Sequence, residues 1–589
     1  MKHSSTKPEA RFDASQFLYD DEEGAATVFG IFTLILMMFA AGVAIDIMRS
    51  EVDRSRLQNA IDRSVLAAAQ LKQERDSRIV VEDYLRAAGI DESSVQIRPI
   101  VEIDQSTGRP ISKTVTVKAV SDVPTFFMNS FGIDDLVQPI STQAIEKELN
   151  TEISLVLDVS GSMSGTKTAN LKDAAKDFVE DMLKEQPELT TISVVSYDSQ
   201  VNLGSQVASY FPLTNEHSLS SCVSFESSDY ETLGIPKNAS GEEEIQRLGH
   251  FSHNGGNSNS RGPISNGERA CPKDGQDDVL AWSNNTAALK SHIDSIGAAG
   301  WTAVGKGVKM GAILLDPSAR DELEAMADDG LVDEVFRGRP VDYGTDGFKK
   351  FIVVMTDGKN TDQHDLNDNV RSGLSRIYVY HPPGSEAFLS TPVSGDANGD
   401  GVVSPGEEVY PLSTEFDGAW WSGASDETYY SIWSPTKNQY WSTRQNKYVN
   451  QPDGGTDARQ MTNVEVFNTM SENYIVKTLL GESDGRSGRA SNDDRSWWKN
   501  TMLRTHSSGT MMGTEGRTKA DEELHNICDA AKNAGIVIYS IALQAGADGE
   551  KAMEDCANDG TYYKVLKAED LDDTFADIAA AINRLKLTQ

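Results

Sequence analysis

The sequence predicts an α/β fold, a doubly wound and mainly parallel sheet, over the larger part of the chain. Three observations predict it. Apolar runs of strand length recur at residues 153–157, 192–195, 351–355 and 536–543, as buried strands do. Helical stretches alternate with them: Leu171, Ala175, Phe178 and Met182 form one apolar face, residues 303–315 and 522–532 read as helices, and Leu571, Phe575, Ile578, Ile582 and Leu585 make a closing amphipathic helix. That alternation gives a sheet with helices on both faces. Finally, Asp, Ser and Thr stand just after these strands or where a helix opens, which is where open α/β sheets gather ligands.

The elements ahead of this sheet follow in order. After a tail at 1–24, residues 25–45 (AATVFGIFTLILMMFAAGVAI) carry no charge and at about 1.5 Å per residue span roughly 30 Å of hydrocarbon. They can cross a bilayer once. A cleaved signal peptide ending near Gly42-Val43-Ala44 is the competing reading, but Asp20-Asp21-Glu22-Glu23 precede the run in place of a basic patch. Leu57, Ile61, Val65 and Ala68 recur at helical spacing, which extends a stalk helix to about Leu85. Val95, Ile97 and Val101, then Val115, Val117 and Ala119, flank a turn region at 104–110 and read as a hairpin. Residues 46–148 are thus a stalk helix with a small α+β domain, either pilin-like or a spacer.

At 589 residues the chain exceeds one core and should hold two to four domains. With 54 Lys+Arg against 90 Asp+Glu its formal charge is −36, which repels phosphates and argues against nucleic acid as a partner. The four cysteines, Cys222, Cys271, Cys528 and Cys556, lack metal-type spacing, so disulfides are the better reading. Three pairings are open. The sequence-local pairs, Cys222 with Cys271 and Cys528 with Cys556, are preferred, each contributing roughly 3 to 4 kcal/mol in the chain-entropy model. Disulfides imply an oxidising compartment. Lys2, Lys7 and Arg11 before the span and Arg49, Arg54, Arg56 and Arg63 after it do not put the amino terminus in the cytoplasm. The cysteines do, because a long downstream domain translocates regardless of flanking charge.

Five residues carry the chemistry. Asp158, Ser160 and Ser162 leave the first strand together in LVLDVSGSMSG, Thr302 stands in GAAGWTAVGKG, and Asp357 in FIVVMTDGKN. Two carboxylates and three hydroxyls suit a hard cation that keeps part of its water. The pattern resembles the metal-ion-dependent adhesion site of von Willebrand factor A domains. That resemblance implies Mg²⁺ (or Mn²⁺) ligated directly by Ser160, Ser162 and Thr302, and directly or through water by Asp158 and Asp357. The A domain would occupy 149–589 with two insertions, at about 214–277 and 361–519. The first is Ser/Gly/Asn-rich and holds Cys222 and Cys271, a staple for a loop of low apolar content. The second contains DANGDGVVSPGE, which satisfies a calcium-loop pattern: Asp396, Asn398, Asp400, the Val402 carbonyl, Ser404 and Glu407 would bind Ca²⁺. Without flanking helical patterns it is an isolated loop whose ion orders the insertion. Six of eight tryptophans lie there, Trp420, Trp421, Trp433, Trp441, Trp497 and Trp498. They read as the core of an inserted subdomain in preference to a binding surface.

The block from Gly24 to Gln70, notably Gly24, Asp46, Leu57-Gln58, Ala60 and Asp62, looks like the amino-terminal segment of TadG-type proteins of the tight-adherence (Tad/Flp) pilus system. SLVLDVSGSM, Cys222, Cys271-Pro272, GWTAVGKGVKMGAILLDP, KKFIVVMTDGKNT, the pair Cys528 and Cys556, and the closing DLDDTFADIAAAINRLKLTQ agree. The resemblance implies a bacterial inner-membrane protein of single span, acting in pilus assembly or surface attachment with Tad/Flp components. One departure is Phe29, where a prepilin-type cleavage site would have Glu five residues after Gly24.

The expected function is therefore metal-dependent adhesion or pilus assembly through a partner carboxylate. The alternatives are an A-domain scaffold or subunit of another membrane complex that works without metal-dependent binding and, last, a hydrolase. Catalysis has thin support: Ser160 and Ser162 form no G-x-S-x-G elbow, and no HExxH or HxxEH pattern occurs. A cytosolic chelatase subunit conflicts with the span and the cysteines.

Overall fold

The uncharged run and the helical spacing behind it form one long helix, α1 (Ser15–Ala69), in a computed structural model. The structure describes residues 15–70, 73, 75–91, 95–103, 110–147, 149–184, 186–252, 270–271, 275, 277–382, 393–394, 408–409, 428–481, 489–506 and 518–587. It divides into two units, residues 1–148 with 585–589, and 149–584.

In the first unit α1 stops at Ala69 and a second helix, α2 (Ser77–Ala87), runs separately. The stalk helix therefore does not continue to Leu85. Gln70, Gln73, Arg75 and Asp76 stand between the two helices, and Asp76 caps α2 by accepting a hydrogen bond from the Arg78 N–H at 2.7 Å. With the break, Val80, Val81 and Leu85 of α2 join Leu57, Ile61 and Val65 of α1 in one core. The hairpin is also larger than expected. Strands β1 (Gln96–Ile103), β2 (Pro110–Pro124) and β3 (Asp135–Lys147) form an antiparallel sheet in that order. The third strand was hidden by its mixed composition, with Pro139 and alternating polar residues. The structure holds one helix stretch long and apolar enough to cross a membrane, Ala25–Ala69, among the described residues.

The second unit is built on β4 (Asn150–Asp158), α3 (Thr166–Leu183), β5 (Thr190–Tyr197), β6 (Leu280–Ser283), α4 (Thr286–Ser295), α5 (Val304–Ile313) and β7 (Phe348–Thr356). It is completed by α6 (Lys519–Asn533), β8 (Val537–Leu543), α7 (Ala547–Cys556), β9 (Tyr562–Val565) and α8 (Leu571–Leu587). The sheet order is β9-β8-β7-β4-β5-β6. All neighbours are parallel except β5 and β6. Side chains of β4 alternate between faces: Ile153, Leu155 and Leu157 pack with α3, α4 and α8, while Val156 packs with α5 and α6. Both faces are covered, which explains the nearly continuous apolar strands. On α5 there is no room for a larger residue at Gly307, where a Cβ would lie 2.5 Å from the Tyr197 ring. The glycines of GKGVKMG let the helix sit close to the sheet.

The two insertions share a core. Lys447–Val449, Gln439–Ser442, Tyr429–Ser434, Leu374–Tyr380 and Arg459–Thr462 form a five-stranded sheet in that order. Trp441, Phe467, Ile475 and Trp498 are buried there with Leu248, Phe251, Cys222 and Cys271 of the first insertion. Trp441 donates its indole N–H to the Leu479 carbonyl at 2.9 Å. Among the tryptophans of the second insertion in the described residues, Trp441 and Trp498 serve as core, Trp433 is half-buried against Tyr440 with ring centroids 4.9 Å apart, and Trp497 packs partly buried under the Arg376 guanidinium, 3.4 Å from its ring centroid. Trp420 and Trp421 lie outside the described residues. The disulfides join Cys222 to Cys271 and Cys528 to Cys556; the second ties α6 to the end of α7.

Candidate metal centre

The chain leaves β4 for α3 and β5 on one side and later returns to β7 on the other, so β4 is the point where strand order reverses. A crevice beyond the carboxyl ends of strands forms at such a point. Asp158 ends β4, and Asp357 follows the last residue of β7, Thr356. Backbone bonds draw a third loop in: Gly161 N–H donates to the Gly300 carbonyl at 3.1 Å and Ala299 N–H to the Val159 carbonyl at 2.9 Å. Gly300 has φ +73°, and a Cβ there would lie 2.0 Å from an Asp198 carboxylate oxygen. Only glycine meets both conditions.

The five sequence-selected residues come together. One Asp158 oxygen accepts the Ser160 N–H at 2.8 Å and the other the Thr356 hydroxyl at 2.6 Å. The Ser160 and Ser162 hydroxyl oxygens are 3.0 Å apart, and the Ser162 hydroxyl donates to Asp357 at 2.6 Å. Thr302 is fixed through its backbone: its N–H donates to the Thr361 hydroxyl at 2.9 Å, and its carbonyl accepts the Thr361 N–H at 2.9 Å. Its hydroxyl and that of Ser162 both border Gly358, 3.8 and 4.0 Å from where a Cβ would stand. Asp158, Ser160, Thr302 and Asp357 are buried, while Ser162 is exposed and Trp301 beside the site is 53% exposed. The cluster is open to solvent on one side.

Burial pushes the Asp158 carboxyl up to about 6, against the hydrogen bonds from Ser160 and Thr356 that favour its charged form. A buried carboxylate of this kind gains from a neighbouring positive charge. The neighbouring Asp357 has one: Lys167, at the start of α3, donates to its second oxygen at 2.6 Å. Burial likewise raises Asp198 to about 7; its carbonyl accepts the Ala303 N–H at 2.7 Å and so helps hold the Thr302 loop.

The donor set fits a hard divalent cation. Octahedral Mg²⁺ at 2.0–2.1 Å from its ligands places neighbouring oxygens about 3 Å apart, the observed separation of the Ser160 and Ser162 hydroxyls. No group of three or more His, Cys, Asp or Glu side chains that could hold a metal occurs among the described residues, so a cation here would rely on hydroxyls. The calcium-loop residues Asp396, Asn398, Asp400, Val402, Ser404 and Glu407 lie outside the described residues. Lys167, Thr356 and Thr361 escaped sequence reasoning. Lys167 reads as an ordinary solvated helix residue, and the two threonines look like strand-end and turn residues; only their closeness to Asp357 in sequence could have pointed to the latter pair.

Residues 24–71 match the model of the Flp pilus-assembly TadE/G-like family, and residues 153–228 that of the von Willebrand factor type A domain. No curated protein matches the sequence. Among solved structures, the chain is similar to the vWF domain of the type V pili tip protein Mfa5 from Porphyromonas gingivalis, at 13% identity, 75% of this chain, 98% of that one and a TM-score of 0.30. It is also similar to the pilus adhesin RrgA from Streptococcus pneumoniae, at 10% identity, 83% of this chain, 49% of that one and a TM-score of 0.31. Scores this low add no weight to the fold, which rests on the sheet itself. The chain carries a TadE/G-like pilus-assembly segment ahead of a von Willebrand factor type A domain, the arrangement of a TadG-type protein.

Proposed function

We propose that this pilus-associated A-domain protein is a membrane-anchored, extracytoplasmic adhesion or assembly protein without catalytic activity, which binds a protein partner through a cation. The observation that carries the reading is the convergence of Asp158, Ser160, Ser162, Thr302 and Asp357 on a solvent-open rim. These residues would hold Mg²⁺ or Mn²⁺, and the bound ion would supply an electrophilic position for an outside carboxylate. Trp301, exposed at the same rim, offers the partner an aromatic contact. The anchor is the apolar run at 25–45, and the two disulfides fit an oxidising space outside the cytoplasm, the periplasmic side of a bacterial inner membrane. Ca²⁺ at residues 396–407 would order the second insertion.

A second reading has one observation behind it. Lys167 already neutralises Asp357, as it would in an A domain that serves as a scaffold without a metal. Partner capture and surface attachment, measured in Mg²⁺, in chelator and with Asp158→Ala, separate the two. The adhesion reading expects binding to fall in chelator and in the variant while circular dichroism stays unchanged. Undiminished attachment by a folded Asp158→Ala protein selects the scaffold.

A further inference from the structure

We propose that the tip of the β2–β3 hairpin, residues 125–134, is a lipid-facing wedge that enters the bilayer interface beside α1. This rests on the single span proposed above. The tip reads TFFMNSFGID, and its Phe126, Phe127, Phe131 and Ile133 side chains are 69%, 39%, 65% and 41% exposed. Four large apolar groups on one turn form a patch of the kind that marks an interaction surface.

Its place is set by α1. The Asp46 carboxylate accepts the backbone N–H groups of Phe126, Phe127 and Met128 at 3.1, 2.7 and 2.9 Å. The Phe39 and Phe131 rings meet edge to face with centroids 5.6 Å apart. Gly42 makes room for the tip, since a Cβ there would lie 2.3 Å from the Phe127 ring. The Arg49 guanidinium covers the Phe126 ring at 4.4 Å from its centroid. Residues 39, 42, 46 and 49 follow one helix face.

Depth follows from the same contacts. The uncharged run ends at residue 45, and Phe39 lies six residues earlier, about 9 Å inside at 1.5 Å per residue. Phe131 is therefore held alongside the apolar run, within the 5–10 Å or so that interfacial side chains reach. Ile45, Ile47 and Met48, at 50%, 48% and 66% exposure, continue the apolar surface around the helix. Lipid is favoured over a second copy for two reasons. The tip stands at the level where the span already meets the headgroups, and Asp46 satisfies three N–H groups that hydrocarbon could not. Arg49 and Asp46 stand on the headgroup side, where a guanidinium can reach lipid phosphate while its stem stays on apolar surface.

The test uses the full chain in phosphatidylethanolamine–phosphatidylglycerol vesicles, with an environment-sensitive fluorophore on a single introduced cysteine and spin-labelled lipid as quencher. Ser130→Cys reports the tip, Leu34→Cys the span, and Lys118→Cys a position six residues up β2 from its end at Pro124, roughly 20 Å from the tip end of the strand. Quenching at 130 should exceed that at 118 by about threefold or more, and Phe126→Ser with Phe131→Ser should bring it down to the level at 118 without changing it at 34. Equal quenching at 130 and 118, with 34 still quenched, overturns the wedge and leaves the anchor standing. Loss of quenching at 34 overturns the anchor, and the wedge with it. A label at 130 that is shielded from lipid and self-quenches between copies means that a second protein chain covers the tip, which also overturns the proposal.

Discussion

Lys167 and Asp357 form the pair on which the chemistry of the site turns. The Asp357 side chain is fully buried and its ammonium partner is 23% exposed, so removing the amine leaves a buried carboxylate with its Ser162 bond alone. Lys167→Met should destabilise the metal-free protein by about 1–3 kcal/mol, the usual cost of an unsatisfied buried group. Mg²⁺ should restore it, because the cation no longer competes with an ammonium. Thermal melts with and without Mg²⁺ check this, and a metal-induced shift no larger than that of the wild type would count against a cation at Asp357. The ligand residues were legible because each pairs an oxygen side chain with a strand end or helix start. Lys167 was not, since nothing in sequence distinguishes a lysine folded over a carboxylate from one in water.

Among the elements, the disulfides and the buried imidazole of the first insertion carry measurable stability. Cys528 and Cys556 are 28 residues apart in sequence, and replacing both by Ala should cost about 3–4 kcal/mol in the chain-entropy model. Denaturant titration of the double variant measures it; a loss below 1 kcal/mol or so would show that packing of α6 on α7 suffices. Peptide mapping without reductant should recover both bridges from native protein, and four free thiols would remove the support for an extracytoplasmic location. His217 is 8% exposed. Burial lowers its pKa from 6.5 to about 4, opposed by its bond to the Leu248 carbonyl at 2.8 Å and the charges of Glu216 and Asp365, and aided by Arg247. Between those pH values the unfolded imidazole binds a proton that the folded one does not. Its contribution is therefore full above pH 6.5 and falls by about 3 kcal/mol as pH drops to about 4. Stability of His217→Gln should depend less on pH over that window; an unchanged slope would mean that the imidazole protonates in place. Apolar periodicity disclosed the main strands and helices, including the closing helix. It missed the break between α1 and α2, because helical spacing on the two looks alike whether the helix runs on or stops.

For the molecule as a whole, the two insertions matter most. They are separated in sequence by β6, α4, α5 and β7, yet Cys222, Cys271, Leu248 and Phe251 are buried with Trp441 and Trp498 in one core. No local pattern reveals a contact between segments so far apart, which is why they read as a stapled loop and a separate inserted subdomain. If Ca²⁺ orders the second insertion, limited proteolysis there should be slow in Ca²⁺ and fast in chelator, and Asp400→Ala with Glu407→Ala should be cut quickly in both. Equal cutting of the wild type in the two conditions would remove the structural role of that loop. The central claim is that the rim of the A domain holds a divalent cation. Its most direct measurement is Mn²⁺ binding to the full chain in detergent, followed by electron paramagnetic resonance, for the wild type and for Asp158→Ala. The variant should bind one ion fewer while keeping its circular dichroism spectrum and melting temperature. An Asp158→Ala protein that binds Mn²⁺ with the same stoichiometry and affinity as the wild type would contradict the site.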